Sequence, residues 1–370
     1  MDDSTVANAP APAAVCPACS APIPAPAARC SQCGEWLSDP EKLIEPRPGD
    51  VYGDRYRLES LLGVGGMARV WRAFDLRGER EVALKLLGAE GIGEHTAEQR
   101  FLAEGRTAKD IRHPNVVDVF DFGLFPNGMP YIAMELLEGK LLSELIRQVG
   151  ALSAERVLAL MMQVAGAVGE THRRGWVHRD LKPDNIFVVP PTGDGRSERT
   201  VLLDFGIAIH PETREAVESR DGLGTVEYAA PEQATGEPLG TRADVYSLGV
   251  VMYQLLTGSL PGNRGPSETT GTVRRTTRAM PAPGGGASPP ALRKALEKIV
   301  VQALSPDSKQ RHVDARHLLR DLERAAVHLP PEVAPGWAWR RTLRNWWWLP
   351  VLIGVVAGIT AVVWVVTRAG

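Results

Sequence analysis

The chain has 370 residues, with 42 Lys and Arg against 44 Asp and Glu and a net charge of −2. That length admits one large domain or two ordinary ones, and so balanced a charge gives no argument for a nucleic-acid partner. All four cysteines precede residue 34, so the long remainder shows no sign of disulfides and suits a reducing compartment.

Residues 1–15 are rich in alanine and proline and are expected to be disordered. Their acidic start and lack of an apolar core give no expectation of a secretory signal peptide. Next come Cys16-Pro17-Ala18-Cys19 and, after ten residues, Cys30-Ser31-Gln32-Cys33-Gly34. Two C-x-x-C pairs can place four thiolates tetrahedrally around Zn²⁺, although the loop between them is shorter than the commonest spacing. Residues 16–37 resemble the small zinc ribbons found at the ends of many bacterial proteins. A redox pair and cysteines unrelated to one another are the competing readings. So short a segment has little core, so a structural metal would supply most of its folding free energy.

Residues 38–53 carry Pro40, Pro46 and Pro48 among charges and read as a linker. Strand-like patterns then run from Tyr56 to Leu62 and from Val70 to Asp75, with Gly63-Val64-Gly65-Gly66-Met67-Ala68 between them. A third strand is predicted from Glu81 to Leu87. Residues 94–110 show apolar positions at helical spacing, and Tyr131 to Leu136 reads as a further strand. A long apolar helix begins near Ser153 and extends to Thr171. The second half is mostly helical, with a Gly-, Pro-, Thr- and Ser-rich loop at 261–290 and closing helices at 292–304 and 313–327. Strands followed by helices suit an α+β domain.

No charged residue occurs from Trp346 to Val366. As a helix this stretch is long enough to cross a hydrocarbon core of roughly 30 Å. Trp346, Trp347, Trp348 and Trp364 sit where interfacial aromatic belts sit. Arg340, Arg341 and Arg344 precede the stretch and only Arg368 follows it, which keeps the preceding domain in the cytoplasm. The expectation is a single-pass, tail-anchored protein of the bacterial cytoplasmic membrane, in contact with lipid through this helix. Residues 325–345 would be the juxtamembrane linker, and only 367–370 would lie beyond the membrane. Gly354 and Gly358 form a G-x-x-x-G that permits close helix packing and hence a homodimer.

The most specific signal is His178-Arg179-Asp180-Leu181-Lys182-Pro183-Asp184-Asn185, followed by Asp204-Phe205-Gly206. An acid that can orient a hydroxyl, a lysine, an asparagine and a second acid in this order suit phosphoryl transfer, which needs positioning and neutralisation of oxygen charge. With the glycine loop, Val82-Ala83-Leu84-Lys85, the Gly224–Glu232 segment and Asp244-Val245-Tyr246-Ser247-Leu248-Gly249, the pattern over 54–324 resembles the eukaryotic-like (Hanks-type) protein kinases of bacteria.

This resemblance implies a two-lobed kinase fold and a protein serine/threonine kinase using ATP with Mg²⁺, or Mn²⁺ in its place. The loop at Gly63, Val64, Gly65, Gly66, Met67 and Ala68 would bring backbone N–H groups to the phosphates. Lys85 would bind the α- and β-phosphates, held by Glu104, with Glu98 as the competing acid. Gly105 lowers helix propensity by about 1 kcal/mol relative to alanine, which predicts a mobile helix and a regulated pair. Val70, Ala83 and Met134 would surround the adenine, and backbone groups of Glu135 and Leu137 would bond its edge. Asp180 would orient the substrate hydroxyl and Lys182 neutralise the transferred phosphate, while Asn185 and Asp204 hold Mg²⁺.

Arg179 would receive a phosphate from the activation segment, where Thr213 and Ser219 are candidate phosphosites. Thr225 would bridge to Asp180 and Lys182, as in the Ser/Thr branch. Glu232 with Arg311, and Asp244 at the catalytic loop, would be architecture. The Val189–Ser197 stretch is longer than the family usually has and reads as an extended hairpin tip. The complete set argues against a pseudokinase scaffold, and the Gly224–Glu232 ending argues against a small-molecule kinase.

Overall fold

The computed structural model describes residues 14–16, 18–23, 30, 32, 46–65, 68–88, 91, 95–191, 197–205, 226–235, 239–262 and 288–327. The chain divides into two units, Met1–Glu138 with Leu202–Glu215, and Gly139–Val201 with Ala216–Gly370. The first is sheet-rich and the second helical, as the resemblance implies.

The first unit opens with a small antiparallel hairpin, β1 (Ala14–Val15) and β2 (Pro22–Ile23). Then follow β3 (Val51–Tyr52), β4 (Tyr56–Val64), β5 (Ala68–Asp75), β6 (Arg80–Leu87), α1 (His95–Asp110), β7 (Val119–Leu124) and β8 (Pro130–Met134). The six strands from β3 to β8 form one antiparallel sheet in the order β3-β4-β5-β6-β8-β7. Alternation explains the strands: Trp71, Ala73 and Asp75 of β5 are buried, as are Val82, Leu84 and Leu86 of β6. Helix α1 buries Ala97, Phe101 and Ala108 along one stripe.

The start of this sheet lies inside the stretch predicted as linker. Gly49 N–H donates to Leu58 C=O and Leu58 N–H to Asp50 C=O, so residues 49–52 pair with β4 instead of running free. Strand β7 had no sequence signal, because a register irregularity between Val119 and Asp121 breaks its alternation. Arg55 links the two ends of the sheet. Its guanidinium bonds both oxygens of Asp75 at 2.9 Å and reaches Asp121 Oδ2 at 2.6 Å.

The second unit comprises β9 (Lys140–Leu141), α2 (Leu142–Val149), α3 (Ala154–Arg173), a 3₁₀ turn at Pro183–Asn185, β10 (Ile186–Val189), β11 (Arg199–Leu202), α4 (Pro231–Thr235), α5 (Thr241–Thr257), α6 (Pro290–Ala303) and α7 (Ala315–Ala326). Leu202, the last residue of β11, belongs to the first unit. The sheet order is β11-β10-β9.

Helix α5 is buried along almost its whole surface, including Ala243, Asp244, Val245, Leu248, Val250 and Val251, as a helix at the centre of a core must be. It ends at Gly258, whose φ of 73° places it in the left-handed region while its N–H caps Gln254 C=O. Ser153 caps α3 by accepting from Arg156 N–H. Helix α7 is amphipathic, burying Ala315, Leu318, Leu322, Ala325 and Ala326.

Several expectations lie outside the described residues. They are most of the loop at 261–290, the hairpin tip at 192–196, the activation segment from Gly206 to Thr225, and all positions after Val327, including the span at 346–366. Among the described residues no helix is long and apolar enough to cross a membrane.

Candidate active site

In the first unit, β4 and β5 carry the glycine loop between them. Gly65 N–H donates to Ala68 C=O at 2.8 Å, closing the loop, while Gly66 and Met67 lie outside the described residues. Gly63 and Val64 are exposed, and Ala68 turns inward. A Cβ at Gly63 would meet no atom within 4 Å, and one at Gly65 would meet only the Ala68 carbonyl oxygen at 3.4 Å. Protein packing therefore does not demand glycine at 63.

Lys85 sits on β6, opposite Val70 of β5 and Ile132 of β8, two residues along the strand from the Ala83–Met134 pair. Val70 pairs with Lys85 and Met134 with Ala83, on three adjacent strands and with both β6 residues on the same face. The Lys85 Nζ donates to Glu104 Oε1 of α1 at 2.6 Å and stands 3.8 Å from Asp204 Oδ2. The lysine takes Glu104 as its partner. Glu98, the competing acid, is buried elsewhere on the helix.

Burial, and next the Asp204 charge, push the Glu104 carboxyl up to about 7 against the pull of Lys85. Burial pulls the Lys85 amine down, but Glu104 and Asp204 outweigh it and hold the ammonium above its ordinary range. The segment bearing Asp204 is fixed by Leu202, whose N–H donates to Asn115 C=O and whose C=O accepts from Val117 N–H. Asp204 itself has φ 54°, a left-handed conformation unusual for a residue with a side chain. It is followed by Phe205, 2% exposed.

The adenine-edge expectation gains detail. Glu135 N–H already donates to Asp118 C=O at 2.9 Å, and Asp118 N–H to Glu135 Oε1 at 3.1 Å. Leu137 follows β8 outside any helix or strand.

In the second unit, Asp180, Lys182 and Asn185 converge. Lys182 Nζ lies 2.8 Å from Asp180 Oδ2. The Asn185 amide nitrogen donates to Asp180 C=O at 2.8 Å and to Asp180 Oδ2 at 3.2 Å. With the nitrogen so engaged, the Asn185 carboxamide offers its oxygen, the donor type a hard cation takes.

This loop hangs on Asp244 of α5. Its Oδ2 accepts from His178 N–H and its Oδ1 from Arg179 N–H, each at 2.8 Å, and His172 Nε2 bonds Oδ2 at 2.8 Å. Burial pushes the Asp244 carboxyl up, yet these hydrogen bonds, led by the one from His172, win and hold it below its ordinary value. The anchor lets Arg179 adopt φ 70°. Gln233 Nε2, from α4, bonds the Arg179 carbonyl at 3.1 Å. Burial also pulls the Arg179 guanidinium down, and its Nε is buried with no hydrogen-bond partner among the described residues. Further out, Arg311 and Glu232 form a two-pronged pair at 2.6 and 2.9 Å, with the Arg311 side chain fully buried.

Near the N-terminus, Cys16, Cys19 and Cys30 bring their sulfurs within 4.8 Å of one another. The Cys16 backbone turns tightly, its C=O accepting from Ser20 N–H and its N–H donating to Ala21 C=O, both at 2.9 Å. The Cys19 and Cys30 sulfurs are 3.6 Å apart, well beyond a disulfide bond of about 2.05 Å. Cys33 lies outside the described residues, as do Thr213, Ser219 and Thr225.

Comparison with known proteins agrees with this geometry. The protein kinase domain model matches residues 56–321, and the chain belongs to that family. Among its members it is similar to bacterial serine/threonine kinases. It is 34% identical over 279 residues to the serine/threonine-protein kinase pkn3 of Myxococcus xanthus, covering 74% of this chain and 50% of pkn3. It is 38% identical over 222 residues to the serine/threonine-protein kinase PknA of Mycobacterium tuberculosis, covering 59% of this chain and 50% of PknA. The crystal structure of the M. tuberculosis PknI kinase domain aligns with a TM-score of 0.55 at 26% identity, over 76% of this chain and 100% of that one. The chain spans about half the length of the curated relatives it matches.

Asp244→Asn replaces one of two carboxylate oxygens with a donor facing backbone N–H groups that need an acceptor. The expected result is a stability loss of about 1–3 kcal/mol, read by denaturant unfolding, together with loss of catalytic activity. An unchanged unfolding midpoint would show that Asp244 does not hold the loop.

Proposed function

We propose that the chain is a membrane-attached serine/threonine protein kinase that transfers the ATP γ-phosphate to Ser and Thr hydroxyls of protein substrates. The observation that carries this reading is that each unit assembles its share of the chemistry from distant positions. Lys85, Glu104 and Asp204 come together in one unit, and Asp180, Lys182 and Asn185 in the other. The family resemblance gives each set a role in phosphate transfer.

Each residue has a physical task. Lys85, steadied by Glu104, binds phosphate oxygens as a fixed positive charge. The Asp204 carboxylate and the Asn185 carboxamide oxygen are the hard donors that would hold Mg²⁺, which when bound neutralises charge on the phosphates. Asp180 accepts a hydrogen bond from the substrate hydroxyl and orients it for attack. Lys182 balances charge on the phosphoryl oxygens as they move. The missing side chain at Gly63 leaves room for the phosphates to approach the loop backbone. Arg179, buried with an unused Nε, suits capture of a phosphorylated residue of the activation segment, and Thr213 and Ser219 remain the candidate phosphosites.

Asp180→Asn in the full chain should lower phosphate transfer roughly 10²–10⁴-fold, the range for loss of a positioned acid or base. Lys85→Met should also reduce it strongly. Transfer of radiolabelled γ-phosphate to a generic protein substrate reads both. Variants as active as the parent would refute these roles.

The cysteine cluster suits a structural zinc ion. Zn–S bonds of about 2.3 Å in a tetrahedron imply sulfur separations of about 3.8 Å, close to the Cys19–Cys30 distance of 3.6 Å. Cys33 is the natural fourth ligand. Four thiolates leave no open position, so the ion would be structural and not catalytic. Elemental analysis of the purified chain should find about one zinc per chain, absent from Cys16→Ser and Cys33→Ser proteins. Zinc retained in both would exclude this assignment.

Membrane attachment rests on the uncharged stretch at 346–366 and its aromatic and arginine flanks. On this reading the kinase domain would lie on the cytoplasmic face of the bacterial inner membrane.

A further inference from the structure

We infer that Gly105 is a positioning residue for phosphate transfer, because its missing side chain sets the distance between α1 and the sheet at which Glu104 reaches Lys85. This rests on the kinase reading of that ion pair and adds a residue to it.

Gly105 lies inside an unbroken helix of 16 residues, not at its end. Helix interiors disfavour glycine, so some other requirement selects it here. The sequence suggested mobility, but the contacts give a different reason. A Cβ at position 105 would lie 2.9 Å from Phe122 Cβ, 3.0 Å from Phe122 Cγ and 3.1 Å from Ile132 Cγ1. Such separations are well inside carbon–carbon contact, which is favourable at about 3.5–4.0 Å.

The obstructing atoms cannot easily yield. Phe122 Cβ is bonded directly to the β7 backbone, and Ile132, 2% exposed, is on β8 directly opposite Lys85. The same helix face carries Ala97, Phe101 and Ala108, all buried. Lys109 ties the helix end to β7 through the Phe120 carbonyl at 3.2 Å. With the neighbouring positions filled, the relief available to an added methyl group is outward movement of α1.

Outward movement acts on the next residue. Glu104 holds Lys85 with Oε1 at 2.6 Å from Nζ. A shift of several tenths of an ångström at Gly105 lengthens that bond and frees the lysine to follow Asp204, already 3.8 Å away. Charge on the phosphates would then be met by a misplaced cation. The loss falls on phosphate positioning, not on the substrate hydroxyl.

The test is a double-mutant cycle on the full chain with kcat and KM for ATP as readouts. Gly105→Ala is expected to lower kcat/KM for ATP about tenfold while leaving KM for the protein substrate unchanged. In a Glu104→Gln background the same change should cost less than twofold, since the pair it disturbs is already gone. Phe122→Gly removes both the Cβ and the ring that the new methyl group meets, so Gly105→Ala with Phe122→Gly should recover at least half of the lost activity.

A helix softened by glycine makes the opposite forecast, because alanine would then raise the melting temperature and leave activity equal or higher. That result overturns the inference. So does a loss of equal size in the Glu104→Gln background, a loss that Phe122→Gly does not restore, or disappearance of the cooperative melt in Gly105→Ala, which would assign the residue to global stability. If Glu104→Gln alone leaves activity intact, the fault lies with the kinase reading of the pair.

Discussion

A carboxylate with no exposed surface holds the catalytic loop in place. Asp244 is 0% exposed, and an isolated charge in such a site would shed its ionisation. It keeps its charge because three donors converge on it: two consecutive backbone N–H groups and an imidazole. Remove the carboxylate and those donors lose their acceptor, so the cost is desolvation without compensation. The unusual backbone at Arg179 persists only because this anchor and the bond from Gln233 to its carbonyl fix the residue from both sides. The chain from His178 to Asn185 then has little choice of path. Asp180, Lys182 and Asn185 are held by backbone before any substrate arrives.

The first unit solves a related problem with a pair of charges. Lys85 and Glu104 come from a strand and a helix nineteen residues apart in sequence. Their separation depends on how closely the helix lies on the sheet, which is a matter of side-chain volume. A buried ion pair of this kind is weak evidence for stability. Its value is geometric, fixing one ammonium in a known place. Asp204 completes the group because the segment before it is pinned to Asn115 and Val117 by backbone bonds, so a flexible side chain starts from a fixed root.

How much of this could be read from the residues depends on whether partners are close in sequence or encoded by type. Asp180, Lys182 and Asn185 sit within one short run, and their roles were legible through resemblance, but their mutual bonds appear only in the fold. The Lys85–Glu104 pair was legible through resemblance. Periodicity located β4, β5, β6, α1 and α3 because burial there follows strand or helix spacing. It missed β7, whose alternation is broken, and the strand at 51–52, which follows the prolines and charges of a linker-like stretch. It had no means of finding the bond between Glu135 and Asp118, or the Arg55 bridge to Asp75 and Asp121, because charged residues look alike on surface and in core until the fold brings them together. Ser288 is a further case. It accepts from Ala154 N–H at the start of α3 and donates to Glu155, although more than a hundred residues separate them.

Gly105 shows why propensity misleads when packing decides. Read locally, glycine in a helix weakens it. Read in place, the absent side chain is what the neighbours require. The same logic separates supports from working groups across both units. Asp244 and the Arg311 side chain are entirely buried, so their partners cannot exchange with water. The Asp180 and Lys182 side chains are each 21% exposed, and that of Asp204 is 42% exposed. Groups that must release one partner and take another need water nearby to ease the exchange, whereas groups that must never move are best kept dry. The gradient of burial, from anchor to loop to reacting side chain, follows the order in which freedom of movement is needed.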